Sequence, residues 1–184
     1  WKLWCGMIST DQLLHLVDQT KFSVLSIQPS VDLIFEERVK LLCFYCGKYG
    51  LKRTCPPQIP NLDWQKLVGE YQNSLILYQV TPFAVEITPE SRRVSTMDLY
   101  DVLRKLEGVL HGSGYPLAVC FGGGSCKICE TETEGCTVEC HHPVESRIPI
   151  EAIGVNVEKT LLRFGISLPF PPQHEYFRVG LVLW

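Results

Sequence analysis

Residues 117–145 read LAVCFGGGSCKICETETEGCTVECHHPVE, an apolar run followed by a stretch rich in glycine and cysteine. The apolar run, Leu117 to Phe121, predicts a buried strand. The stretch 122–145 offers no apolar period to a core, because it holds three consecutive glycines, four cysteines and Pro143. We therefore expect a strand that leads the chain into an irregular, ligand-binding loop.

The segments on either side of this loop alternate between helical and strand patterns. Strands are predicted at 22–27, 74–81 and 176–184, with a further strand at 31–46. Helices are predicted at 10–20, after an Asn61 cap, from a Ser95 cap to Gly112, and as one or two pieces in 149–164. This order predicts an α/β or α+β layered single domain over 1–184. Its central sheet should have about four or five strands with helices packed on it, and two cysteine-rich metal loops should lie at about 43–57 and 122–145.

The composition is that of a folded globular protein. Of 184 residues, 46% are hydrophobic and 20% are charged, which excludes disordered, collagen-like and coiled-coil chains. A net charge of -3 excludes a general nucleic-acid binder. There is no apolar run of roughly 20 residues to cross a bilayer and no leader pattern. We expect a cytoplasmic protein without membrane or nucleic-acid contacts.

Seven of the nine cysteines fall in two tight groups. The first group is Cys43, Cys46 and Cys55, and the second is Cys126, Cys129, Cys136 and Cys140. Clustering with Cys-x2-Cys spacing favours a metal site over a disulfide framework. Four thiols within fifteen residues suit tetrahedral zinc or a cubane iron–sulfur cluster. The amides of the three glycines at 122–124 are expected to donate hydrogen bonds to cluster sulfides.

The first group has three thiols and therefore leaves one coordination position open. Cys5, His15, solvent or Cys120 could fill it, although Cys120 lies in an apolar run and is better explained as a small core residue. Alternatively, one site could combine Cys43 and Cys46 with Cys136 and Cys140.

Charge distinguishes the two groups. The first group lies among the basic residues Lys40, Lys48, Lys52 and Arg53. The second lies among the acidic residues Glu130, Glu132, Glu134 and Glu139. Two separate clusters would then differ in potential, and the basic loop could hold an anion. His141 and His142 are predicted to be surface residues. Arg147 and Glu151 are predicted to form an i,i+4 ion pair.

The spacing of these residues resembles a known family. The pattern runs Cys43-x2-Cys46-x2-Tyr49-Gly50-x4-Cys55-Pro56-Pro57, Gly124-Ser125-Cys126-x2-Cys129, Cys140-x2-Pro143, Arg147, then Glu151-Ala152-x-Gly154-x-Asn156-Val157. Over residues 39–165 the chain is similar to an uncharacterised family of predicted metal-binding proteins, a domain of unknown function found mostly in anaerobic bacteria and archaea. The resemblance implies metal or iron–sulfur binding by the cysteines in a cytoplasmic, anaerobic setting.

The chain departs from the family pattern at three places. Six residues separate Cys129 from Cys136 where the family has about two, Ile148-Pro149-Ile150 stands where the family prefers Pro-Ser-Met, and Asn156 replaces a frequent Asp. Cys136 is therefore the ligand that the resemblance supports least.

Together these observations predict a metal-binding protein with one or two [4Fe-4S] clusters. It would act in electron transfer or anaerobic redox metabolism with a redox partner protein. One alternative is a structural zinc-binding interaction module. Another is an enzyme whose three-cysteine cluster has an open iron that binds an anionic substrate.

Overall fold

The computed structural model describes residues 8–83, 86–132, 135–168, 171–172 and 174–184. Its strands are β1 (Ser23–Ile27), β2 (Ser74–Pro82), β3 (Val119–Phe121) and β4 (Glu175–Leu183). Its α-helices are α1 (Thr10–Asp18), α2 (Pro29–Asp32), α3 (Glu37–Tyr45), α4 (Trp64–Val68), α5 (Pro89–Gly112) and α6 (Val157–Leu162). Short 3-10 helices cover Ile128–Thr131 and Ile150–Ile153.

The four strands form one antiparallel sheet in the order β1-β2-β4-β3. Leu77 pairs with Gly180, and Val182 pairs with both Leu75 and Cys120. Strand β4, the last strand in the sequence, therefore lies between β2 and β3. This confirms the predicted mixed fold with a central sheet of about four strands, in its antiparallel α+β form.

Both faces of the sheet are buried. Leu75, Leu77 and Val182 point to one face and join the core formed with α1 and α5. Ile76 and Leu181 point to the other face, where α4, α6 and the 3-10 helix Ile150–Ile153 contribute to a second core. Alternate residues of a strand point to opposite faces, so the nearly continuous apolar composition of β2 and β4 reflects burial on both sides.

Helix α5 crosses the sheet at a glycine. A Cβ at Gly180 would lie 2.8 Å from Leu99 Cδ1 and 3.1 Å from Leu103 Cδ2. These leucines belong to the predicted face of Leu99, Leu103, Leu106 and Leu110, and all four are buried. The missing side chain lets the long helix approach β4 closely.

The strand predicted at 31–46 is wrong, because this stretch forms α2 and α3. Val39, Leu42, Cys43 and Cys46 fall at i, i+3, i+4 and i+7, which places them on one side of a helix. The charged residues 36–38, which interrupt a strand pattern, stand where this helix begins. Helical spacing therefore explains the segment better than its β-branched and aromatic composition does.

Two predicted helix caps are also wrong. Helix α5 begins six residues before Ser95, and Thr88 caps it by accepting a hydrogen bond from Ser91 N. Asp63, not Asn61, caps α4 by accepting from Lys66 N. Both differences come from competing cap residues nearby.

No helix in the described ranges combines the length and the apolar character needed to cross a bilayer.

Candidate metal centre

The first cysteine group begins on α3 and continues into a tight loop. Cys43 lies in the last turn of the helix, and Cys46 caps it by donating its N–H to Cys43 O at 3.3 Å. The loop closes where Gly50 N donates to Pro56 O at 2.8 Å, with Gly50 at a φ of 72° that favours glycine. Cys55 is buried at 6% exposure, whereas Cys46 is exposed.

The second group begins where β3 ends. Gly122 N donates to Ile148 O at 2.9 Å, and Gly124 N donates to a Glu151 carboxylate oxygen at 3.1 Å. A Cβ at Gly123 would lie 2.3 Å from Val179 O. The expectation that all three glycine amides serve cluster sulfides is therefore wrong for Gly122 and Gly124, which bind protein oxygens.

The two cysteine loops meet at a cavity of about 250 Å³. Cys43, Cys46 and Cys55 line it from the first loop, and Gly124 and Ser125 line it from the second. Further lining residues are Val39, Leu42, Pro56, Pro149, Glu151 and Ala152. The fold therefore brings residues from three distant parts of the sequence around one space.

Cys126 follows this lining directly and connects the two groups. It is 5% exposed, and burial is the main cause that raises its pKa, while charge on Cys136 raises it further. Burial likewise raises the pKa of Cys55, to which charge on Cys46 and on Cys126 adds. Lys52 connects the two residues, because its backbone O accepts from Cys55 N at 3.0 Å and its ammonium donates to Cys126 O. Cys126 is therefore linked to the first cysteine group as well as to its own.

Cys43 belongs to the same neighbourhood. Burial raises its pKa to about 11, and charges on Cys46, Glu151 and Cys55 act in the same direction. The Cys43 thiol is therefore protonated near neutral pH in the absence of a cation. A metal would replace its proton, as binding to thiolates requires.

Lys52 joins the basic and acidic loops. Its ammonium is buried, donates to Cys126 O and lies 3.7 Å from a Glu130 carboxylate oxygen. Glu130 also pairs with Lys127 at 2.8 Å. The prediction of separate basic and acidic surroundings is therefore wrong at this point, because the opposite charges contact each other.

A second buried cation lies beneath the glycines. Arg178 is 8% exposed, and its guanidinium donates to Ser95 Oγ at 3.1 Å and to Gly123 O at 3.2 Å. Its remaining acceptor among the described residues is Arg92 O, so all these direct acceptors are neutral. Burial lowers the pKa of Arg178, as expected for a cation removed from water.

A third group of potential ligands lies beyond Cys126. One ligand atom each of Cys129, Glu132 and His142 lies within 4.8 Å of the other two. His142 Nε2 is 2.6 Å from Glu132 Oε1. His142, predicted to be a surface residue, makes a half-buried contact with Glu132. Local sequence does not indicate this contact, because the two residues are ten positions apart.

The other cysteines lie in different surroundings. Cys136 Sγ is 3.9 Å from Thr137 O, and Cys140 Sγ is 3.9 Å from Ser146 Oγ. Cys120 is 2% exposed and its thiol donates to Leu103 O at 3.3 Å, in agreement with its predicted core position. Cys5, proposed as a fourth ligand, lies outside the described residues.

The predicted Arg147–Glu151 ion pair is wrong. Arg147 instead pairs with Glu107 on α5, and Glu151 accepts from Gly124 N at the wall of the cavity. Glu151 lies in a 3-10 helix, whose geometry does not place i and i+4 side chains together as an α-helix does.

The donors around the cavity fit a thiolate-bound metal group. Thr54 Oγ1 is buried next to Cys55, and its hydroxyl lowers the pKa of that thiol by hydrogen bonding to it. Buried Lys52 and Arg178 supply positive charge on the protein side. A hydrogen-bond donor beside a thiol and buried cations nearby are what a group carrying the charge of several thiolates requires.

A family model described as "Predicted metal-binding protein (DUF2284)" matches residues 27–184. No curated protein and no solved structure matches the chain. The match includes all the cysteines around the cavity and most of the sheet. Because it extends over most of the sequence, the chain belongs to the DUF2284 family of predicted metal-binding proteins.

Proposed function

We propose that this chain is an iron–sulfur protein whose [4Fe-4S] cluster occupies the cavity between the loops and serves electron transfer. Cys43, Cys46, Cys55 and Cys126 would be its ligands. The observation that carries the proposal is the cavity of about 250 Å³, which is lined by three thiols and by Ser125, the residue before Cys126. A cubane cluster takes four cysteine thiolates in this manner.

The spacing of the thiols favours a cluster over a single ion. Ligands of one tetrahedral zinc ion stand roughly 3.3 to 3.8 Å apart, given metal–ligand bonds of about 2.0 to 2.3 Å. No three of these four thiols, all in the described part of the chain, converge within 4.8 Å. Thiols around several irons stand farther apart, because the irons and bridging sulfides lie between them.

The charges at the cavity support the same conclusion. Four thiolates around a cluster give the group a net negative charge, which is costly to bury without compensation. Lys52 contacts the backbone of Cys126, and Arg178 binds Gly123 O, so two buried cations lie next to the ligands. Both would stabilise the additional negative charge of the reduced state.

When bound, the cluster would accept and release single electrons. The chain would bury it on the side of Cys55 and leave the exposed Cys46 towards solvent. Exposed apolar side chains, including Phe44, Tyr45 and Leu51, flank Cys46. This is the side where a redox partner protein would approach, and anaerobic redox metabolism is the setting we propose.

A fully coordinated cluster favours electron transfer over catalysis. With Cys126 as the fourth thiolate, no iron keeps the open position that an enzyme would need. Two of the bases expected to bind an anion are occupied as well, since Lys40 pairs with Glu37 and Lys52 contacts Glu130. The open-iron enzyme is therefore the weaker proposal.

Metal and sulfide analysis of anaerobically purified protein tests the proposal. We expect a brown protein with four irons and four sulfides per cluster, bleached by reductant. Cys126→Ser should lose most of this iron, whereas Cys120→Ser, which alters the core thiol bonded to Leu103 O, should keep it. A colourless protein with zinc at Cys43, Cys46 and Cys55 would contradict the cluster and favour the structural zinc module.

A further inference from the structure

A compact group of unlike donors lies outside the cavity wall. Cys129 supplies a sulfur, Glu132 an oxygen and His142 a nitrogen, all within 4.8 Å. Cys129 is 4% exposed, and the side chains of Glu132 and His142 are about one-third exposed. None of the three residues lines the cavity between the loops.

The local backbone explains why these donors converge. Cys129 and Glu132 stand three residues apart at the 3-10 helix Ile128–Thr131, and Glu132 N donates to Cys129 O at 3.2 Å. Side chains at i and i+3 of a 3-10 helix eclipse each other, so both point the same way. His142 starts a turn in which Ser146 N donates to His142 O at 3.0 Å.

We propose that Cys129, Glu132 and His142 bind one divalent cation of the zinc class, at a site separate from the cluster. A thiolate, a carboxylate and an imidazole are all regular zinc ligands, and mixed donors suit this borderline ion better than they suit an iron–sulfur core. Because the ligand atoms lie within 4.8 Å of one another, a contraction of at most roughly 1 Å brings them to the ligand separations of a tetrahedral ion. The site rests on its own residues and does not depend on the proposed cluster.

The fourth ligand has a candidate in the same segment. Cys136 lies seven residues after Cys129 in the same loop. A site completed by Cys136 would be closed, as structural zinc sites are. It would tie residue 129 to residue 142 and fix the loop around Cys136.

The alternative explanation is an ordinary ion pair between Glu132 and His142, with Cys129 as a buried thiol. The experiment must therefore separate metal ligation from ion pairing. Replacing His142 by cysteine does so, because a thiolate binds zinc but cannot form an ion pair with a carboxylate.

Cobalt(II) is the probe, since its visible spectrum reports tetrahedral geometry and sulfur ligation. The holoprotein, purified without oxygen and dialysed against a chelator to remove exchangeable ions, is titrated with Co(II) and then with Zn(II) as competitor. We expect one tetrahedral Co(II) per chain. His142→Ala and Glu132→Gln should each weaken binding by at least about 10-fold, and His142→Cys should retain it with a stronger sulfur-to-cobalt band.

Two variants serve as matched controls. Glu139→Gln neutralises another acid of the same loop, and His15→Ala removes the histidine that contacts Gln19 on α1. Both should bind Co(II) as the unchanged protein does. Iron and sulfide contents should stay constant in all five variants, because none of them alters a proposed cluster ligand.

Three results would overturn the zinc site: no tetrahedral Co(II) in the unchanged protein, equal affinity in His142→Ala and Glu132→Gln, or loss of binding in His142→Cys equal to that in His142→Ala. Failure of the cluster proposal looks different. In that case iron is absent from the unchanged protein, while Glu132→Gln and His142→Ala still weaken Co(II) binding.

Discussion

Gly123 has no side chain because the backbone of β4 occupies the space that one would need. Its Cβ position lies 2.3 Å from Val179 O, closer than real contacts allow. A backbone carbonyl inside a sheet cannot move aside as a flexible side chain can. This glycine sets how closely the second cysteine loop approaches the sheet.

We expect Gly123→Ala to lower the free energy of unfolding of the metal-free protein by about 2 to 3 kcal/mol, through overpacking. Urea denaturation measures the change. Gly108→Ala is the control, since a Cβ at Gly108 in α5 meets nothing within 4 Å. That variant should gain about 0.5 to 1 kcal/mol from helix propensity. Equal stability of both variants would contradict the tight approach at Gly123.

Lys52 offers a second test at the same scale, provided that the cluster is present. Lys52→Met removes a buried positive charge whose ammonium contacts Cys126 O, while keeping most of the side-chain volume. Addition of an electron to the cluster then becomes less favourable, so we expect a lower reduction potential. Redox titration under anaerobic conditions measures the shift.

Lys48→Met is the matched control because Lys48 is an exposed lysine of the same loop. Its charge is screened by water and should change the potential far less. If the two variants had the same potential, Lys52 would have no electrostatic role at the cluster.

Helix α3 carries the first cysteines and is anchored to the segment around α6. Glu36 N donates to Gly154 O at 2.8 Å, and Asn156 N donates to Ile34 O at 2.7 Å. The Glu36 carboxylate accepts hydrogen bonds from Arg38, Asn156 and Lys159. The position of Cys43 therefore depends on contacts made more than 100 residues later in the sequence.

Hydrogen bonds from Arg38, then Lys159 and Asn156, hold the pKa of Glu36 well below its usual range. A carboxyl whose pKa is lower in the folded state adds stability above its unfolded pKa, near 4.3, and loses it as the pH falls further. We expect Glu36→Gln to lower the melting temperature at pH 7 and to flatten its decline below about pH 5.

Thermal unfolding followed at pH 7 and at pH 3.5 checks this prediction. Glu37→Gln is the control, because the Glu37 side chain is 88% exposed and pairs with Lys40 within the helix. It should leave both melting temperatures nearly unchanged. A steep acid decline that persists in Glu36→Gln would exclude Glu36 as its origin.

The elements that were predictable are those with a long, regular pattern. The helical periodicity around Leu103 predicts the buried face of α5, and the apolar runs at 74–81 and 176–184 predict β2 and β4. The strand prediction for 31–46 is wrong because its apolar, β-branched and aromatic residues favour a strand while its spacing fits a helix. Tertiary contacts such as that between Glu36 and Gly154 decide between the two, and they are absent from local sequence.

The candidate site was predictable in its residue types but not in its grouping. Cys-x2-Cys spacing identified the thiols, yet it assigned Cys126 to its neighbours in sequence. The fold links Cys126 through Lys52 to Cys55, which comes 71 positions earlier. Sequence likewise places Lys52 in a basic loop and Glu130 in an acidic loop. The two residues contact each other only because the fold brings these loops together.

At the scale of the whole molecule, the cores and the metal loops are largely separate. Most residues of the two core clusters come from helices and the sheet, with Cys126 as the principal loop cysteine among them. We therefore expect the protein without metal to keep its sheet and α5 while the loops 43–57 and 122–145 loosen.

Hydrogen exchange measured by mass spectrometry, with and without chelator, tests this expectation. Protection should fall in the two loops and stay high in β2, β4 and α5. Far-ultraviolet circular dichroism should change little. Global loss of protection on metal removal would instead show that the metal is required for the whole fold.

The inner position of β4 determines when the site can form during synthesis. The ribosome makes Cys43 about 140 residues before Leu183, an interval of about 7 to 30 s at ordinary elongation rates. Until β4 inserts between β2 and β3, Gly123 lacks its contacts with Val179 and Arg178, and the thiols are exposed to solvent. A nascent chain in this state is open to oxidation and to mismatched metals. A metal group in this cavity could be enclosed only after β4 has been made and inserted, so these cysteines would have to stay reduced until then.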